Sequence, residues 1–127
     1  MNKADLPAAV VHFVLKRIES VTELETLLIM SAEEARAWNA AELADRIYAA
    51  APSAAAVLHA LERQRLVKTE DGTRFCFSPA NDEERQLISQ VAIAYRSQLI
   101  PITTLIHKKS SGAVQEFARA FDLKKDE

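Results

Sequence analysis

Along most of this chain apolar residues recur every three or four positions, and only between Leu66 and Phe77 does the period drop to two. A period near 3.6 belongs to a helix with one buried stripe and a period of two to a half-buried strand, so the sequence encodes helices interrupted by a single short β element. Asp71-Gly72 sits at the centre of that element. It is a favoured two-residue type I′ turn, which predicts a hairpin joining residues 66–70 to residues 73–77. Thr73, Phe75 and Phe77 then share one face, and Arg74 and Cys76 the other.

The helices on either side announce themselves by caps and stripes. Pro7 suits a first turn, and Val10, Val11, Val14 and Ile18 form the stripe of the first helix. Ser20-x-x-Glu23 and Thr22-x-x-Glu25 are overlapping capping boxes before Leu24, Leu27 and Leu28, with a helix expected to about Met30 and a short irregular stretch through Trp38. Asn39-x-x-Glu42 opens a third helix carrying Leu43, Ala44 and Ile47, which ends in the alanines before Pro52. Ser53 reads as the N-cap of a fourth, with Ala54, Val57, Leu58 and Leu61 inward and an end near Gln64. A fourth capping box, Asn81-x-x-Glu84, begins one long helix over residues 81–109, kinked at Pro101. Ser110-Ser111-Gly112 breaks it, and Val114, Phe117, Ala118 and Phe121 mark a last amphipathic helix before the charged tail.

At 127 residues and 49% hydrophobic content, the chain suits one domain over residues 1–127. It divides into a core over 20–78, a long helix over 79–109 and a terminal helix and tail over 110–127. The lone Cys76 forms no internal disulfide and no Cys/His pair has ligand spacing, which leaves no metal site and points to the cytoplasm. Leu6 to Leu15 is the most apolar stretch, far short of the roughly 20 residues that span a bilayer, so no membrane association is expected. His12, His59 and His107 fall on separate elements without acidic partners. With two glycines the chain holds no phosphate loop or nucleophile elbow, and the reading is a non-enzymatic protein with no catalytic residues and no cofactor.

The motif helix, helix, turn, helix, hairpin, long helix is carried by Ala41-Glu42-Leu43-Ala44, by residues 53–61, by Leu66-Val67 and by Asp71-Gly72. It resembles, over residues 22–108, the winged helix domains of bacterial transcription regulators of the MarR and PadR-like groups. The expected fold class is mainly α with a small β-hairpin, a winged helix-turn-helix with long C-terminal helices. A Gly commonly stands where this chain has Gln64-Arg65.

The resemblance implies that the second motif helix enters the major groove of double-stranded DNA and that the wing grips the adjacent backbone. The residues placed there are Ser53, Ala55, Ala56, His59 and Arg63 on the helix, with Arg65, Lys68 and Arg74 around the wing. Alanine donates no hydrogen bond to a base edge, so reading of sequence is poor and backbone contacts dominate. Net charge is −2, with six acids against two bases over residues 20–52, so DNA binding would rest on a local patch. The alternative is a protein-interaction module whose alanine face, residues 54–60, packs on a protein partner. A third reading is a small-molecule sensor with a pocket lined by Trp38, Tyr95 and Phe75.

Ile88, Val91, Tyr95, Leu99, Ile102, Leu105 and Ile106 make a near-heptad stripe about 28 Å long at 1.5 Å per residue. A small domain does not easily cover such a length, and the stripe is read as the interface of a homodimer.

Overall fold

The computed structural model describes residues 6–110. These form helices α1 (Ala8–Arg17), α2 (Val21–Ala32), α3 (Ala40–Ile47) and α4 (Ala51–Arg63), strands β1 (Val67–Thr69) and β2 (Phe75–Phe77), and helices α5 (Asp82–Ser97) and α6 (Leu99–Ser110). The chain is therefore mainly helical with one antiparallel hairpin, as the change of period requires. The expected terminal helix with Val114, Phe117, Ala118 and Phe121 lies outside the described residues.

The local caps form where the sequence places them. Asn39 closes a reciprocal box with Glu42, the two hydrogen bonds measuring 2.8 and 3.0 Å. Ser20 and Asn81 each accept the N–H of the residue three on, Glu23 and Glu84. There the glutamates reach one residue further back, to the N–H of Glu19 and of Ala80. Thr22 falls inside α2 and caps nothing.

α4 begins three residues earlier than expected. Ala50 is its N-cap and Pro52 lies in its first turn, where a missing N–H leaves no helical bond unmade, so Ser53 is a helical residue and not the cap. Three residues connect α3 to α4, and the turn depends on Tyr48 in the left-handed conformation (φ 56°), followed by Ala49 N–H donating to Ala44 O. α4 ends in the same way. Arg65 takes φ 62°, Leu66 N–H donates to Leu61 O and Arg65 N–H to Glu62 O, a Schellman closure. The glycine-like geometry is present, carried by arginine.

The hairpin pairs Val67 with Phe77, Lys68 with Cys76 and Thr69 with Phe75. Residues 70–74 therefore form a five-residue loop, longer than the two-residue turn expected from Asp71-Gly72. Only Gly72 takes positive φ (80°). Asp71 works through its side chain, Oδ1 accepting from the N–H groups of Thr73 and Arg74, and Thr69 Oγ1 accepts from Gly72 N–H. A single bridge extends the sheet: Trp38 and Phe75 exchange two backbone hydrogen bonds of 2.8 Å.

The expected long helix is two helices. α5 stops at Ser97, Gln98 leaves helical geometry (φ −137°, ψ 57°), and α6 starts at Leu99. Proline at position 101 lacks an N–H and its ring crowds the carbonyl of Ser97 four residues back, so the helix breaks before it and Pro101 sits in the first turn of the next. α6 then packs on α1 and also meets α2 and α5. Lys109 secures this arrangement by donating to the carbonyls of Leu15 and Ile18 at the end of α1 and pairing with Glu19 at 3.2 Å.

One core joins all of these elements: Phe13, Val14 and Ile18 of α1, Leu24, Leu27 and Met30 of α2, Leu43, Leu58, Leu61, Phe75, Phe77, and Ile88, Val91, Ile102 and Ile106. No helix among the described residues is long and apolar enough to cross a membrane.

Candidate binding surface

The surface read as functional from sequence is built from the outer face of α4, its left-handed end and the hairpin. On α4, Ser53, Ala56, His59 and Arg63 are exposed, whereas Ala55 and Glu62, also read as outward, are half-buried. His59 is partly engaged, edge-on to Phe75 at 5.6 Å between ring centroids and 3.5 Å from Glu62. The Arg63 side chain makes no hydrogen bond or ion pair among the described residues; it lies near Glu23, whose carboxyl is pushed above its ordinary value by burial, with the Arg63 charge opposing that shift only weakly.

Arg65 and Lys68 are exposed at the junction of α4 and β1, their side chains without hydrogen-bond or ion-pair partners among the described residues. Arg74 behaves differently. It faces outward on the wing, as expected, but its Nη1 also donates to Ala37 O at 3.3 Å and to Glu42 Oε1 at 3.4 Å. Glu42 also lies 4.0 Å from Arg36. Its carboxyl is held below the usual range, first by the Asn39 N–H and then by the charges of Arg74 and Arg36.

These contacts belong to a ladder laid over Trp38. Arg36 stacks on the indole at 3.6 Å and Arg46 at 5.0 Å, and Glu33 pairs with Arg46 at 3.2 Å and with Arg36 at 3.6 Å. Trp38 itself is fully buried, as is Phe75, so neither lines a pocket with Tyr95. Tyr95 lines a different one, a groove of about 560 Å³ between α2, the end of α3 and α5, floored by Leu28, Ile29, Ile47 and Ala92. There its hydroxyl donates to Glu25 at 2.6 Å. Burial, and then that hydrogen bond, push its pKa above the usual phenol value. Tyr48 stands on the lip, 95% exposed.

The expected dimer stripe is largely spent inside the chain. Ile88, Val91, Ile102 and Ile106 are buried in the core, Tyr95 and Leu105 are half-buried, and only Leu99 of the seven is exposed. The helix break explains this, since α5 and α6 are separate pieces that each cover part of the same small core.

Sequence reasoning missed Arg17. Its guanidinium donates to Gln64 O at 2.7 Å, to Gln64 Oε1 at 3.0 Å and to Glu84 at 3.1 Å, tying α1 to the end of α4 and the start of α5. Its partners lie 47 and 67 residues away, so no local pattern signals it. Cys76 is half-buried and unpaired opposite Lys68. No group of three or more His, Cys, Asp or Glu among the described residues is placed to hold a metal ion.

Comparison of the chain with protein-family models, with curated proteins and with solved structures finds no match to any of them.

Proposed function

We propose that the chain is a winged helix domain that binds double-stranded DNA mainly through the phosphate backbone, with little reading of base sequence. Support for the fold is the chain order: α2, a bridging residue at Trp38, α3, a three-residue turn, α4, and a hairpin whose second strand returns to Trp38. In that reading α4 is the groove-facing helix and residues 70–74 are the wing tip.

The observation that carries the binding reading is the pair Arg65 and Lys68, two exposed cations whose side chains have no hydrogen-bond or ion-pair partner among the described residues, set where the helix meets the wing. Arg63, the last residue of α4, stands two residues before Arg65. Backbone binding needs cations in register with phosphates and nothing more, whereas base reading needs bidentate donors that Ala55 and Ala56 lack. Two or three such contacts give weak binding with a shallow salt dependence, a slope of about −0.9 per phosphate. The test is fluorescence anisotropy with a mixed-sequence duplex at low salt. Changing Arg65 and Lys68 together to Ala is expected to weaken binding and flatten the slope by about 2. No binding by the unaltered protein at low salt overturns the reading.

A second reading, a protein-interaction module, is favoured by the small, donor-poor start of α4, where Ala51, Pro52, Ser53 and Ala56 are exposed together. It expects Ala56→Arg to abolish a co-purifying protein complex without changing the melting temperature. A complex that survives the substitution counts against it.

A further inference from the structure

One carboxylate oxygen of α3 accepts from two donors and lies beside a third group, a second cation. Glu42 Oε1 accepts the Asn39 N–H at 3.0 Å, lies 3.4 Å from Arg74 Nη1 and 4.0 Å from Arg36 Nη2. Closing the capping box requires an acceptor but no charge, and a glutamine amide oxygen would serve. The negative charge therefore does something that capping does not demand. It neutralises two cations that arrive from different segments, one at the entry to β2 and one before Trp38. Ala37 O, 3.3 Å from the same Arg74 nitrogen, completes the hold.

We propose that Glu42 is an autoinhibitory acid that masks Arg74 and Arg36 from an approaching phosphate backbone. This rests on the reading that the α4 and hairpin face binds duplex DNA. Arg74 is the last residue of the wing tip and stands half-exposed, as does Arg36 at its edge of the ladder. A phosphate reaches Arg74 in competition with Glu42, and Arg36 in competition with Glu42 and Glu33, so while these acids hold the two guanidinium groups the surface presents chiefly Arg63, Arg65 and Lys68. An exposed ion pair of this kind contributes little to stability and is screened by salt, which makes it displaceable. Masking sets the affinity low and keeps the domain from binding every duplex it meets.

The test uses the full chain and a mixed-sequence duplex followed by anisotropy between about 50 and 200 mM salt. Glu42→Gln keeps both capping hydrogen bonds and removes only the charge, with the melting temperature confirming an intact fold. It is expected to tighten binding about threefold to tenfold and to steepen the salt slope by about 0.9 for each cation released. Arg74→Gln is expected to change binding less than about twofold in the unaltered background and to remove most of the gain in the Glu42→Gln background. Binding by Glu42→Gln alone supports the mask and overturns the reading that the unaltered surface, with Arg65 and Lys68, suffices to bind duplex DNA. Equal affinity and slope for the two proteins overturns the mask and leaves the duplex reading standing, and no binding by either overturns both.

Discussion

Tyr48 and Arg65 hold left-handed backbone conformations that a side chain makes costly, in a chain with only two glycines to spend. Arg65→Gly relieves the strain at the end of α4 and keeps the Schellman hydrogen bonds, so urea unfolding is expected to show a gain of up to about 1 kcal/mol. The same substitution removes a proposed phosphate contact. Stability and duplex affinity should therefore move in opposite directions, and a loss of stability would show that the arginine side chain packs in a way the exposed position does not suggest. At the wing tip, the N–H groups of Thr73 and Arg74 lower the Asp71 carboxyl to about 2, from an ordinary 3.8. A depressed folded value means stability that is present above the ordinary value and lost as pH falls from about 3.8 towards 2. The melting temperature of Asp71→Asn is accordingly expected to fall less steeply than that of the unaltered protein across that window.

Which elements exist was legible in the sequence, because caps and stripes act within about four residues of where they are read. Asn39 with Glu42 and Asn81 with Glu84 are local hydrogen bonds, and both appear. Where elements end was less legible. Pro101 signals a fault, but whether it yields a kink or a break depends on α1 offering α6 a surface, and that contact spans some ninety residues of sequence. The wing loop is long because Trp38 fixes Phe75 in the sheet from outside the hairpin, which a hairpin motif cannot register. The candidate surface divides in the same way: the outward face of α4 follows from helical period, whereas the capture of Arg74 by Glu42 and the Arg17 tie are distant pairings. Arg17 makes its bonds half-buried, so Arg17→Met is expected to cost about 1–3 kcal/mol in denaturant unfolding, with α4 and α5 still helical by circular dichroism.

At the scale of the molecule, the question is whether one chain completes its own core. Among the described residues twenty-two apolar side chains are buried, and the stripe that suggested a dimer supplies Ile88, Val91, Ile102 and Ile106 to that set. What α5 and the start of α6 leave outside is a smaller group: Ile93 at 56% exposure, Leu99 at 46% and Ile100 at 70%. A seam built on the full stripe would make folding and association one event, and the unfolding midpoint would rise with protein concentration. A core completed within the chain makes the midpoint independent of concentration. The neighbours Ile100 and Ile102 separate the two cases further. Ile102→Ala removes fully buried methyl groups and is expected to cost about 2–5 kcal/mol, whereas Ile100→Ala should stay within about 0.5 kcal/mol. Urea unfolding of both variants, repeated over a hundredfold range of concentration, checks the size of each loss and its concentration dependence together. A midpoint that climbs with concentration and loses that dependence in Ile100→Ala would place a subunit interface at the α5–α6 corner.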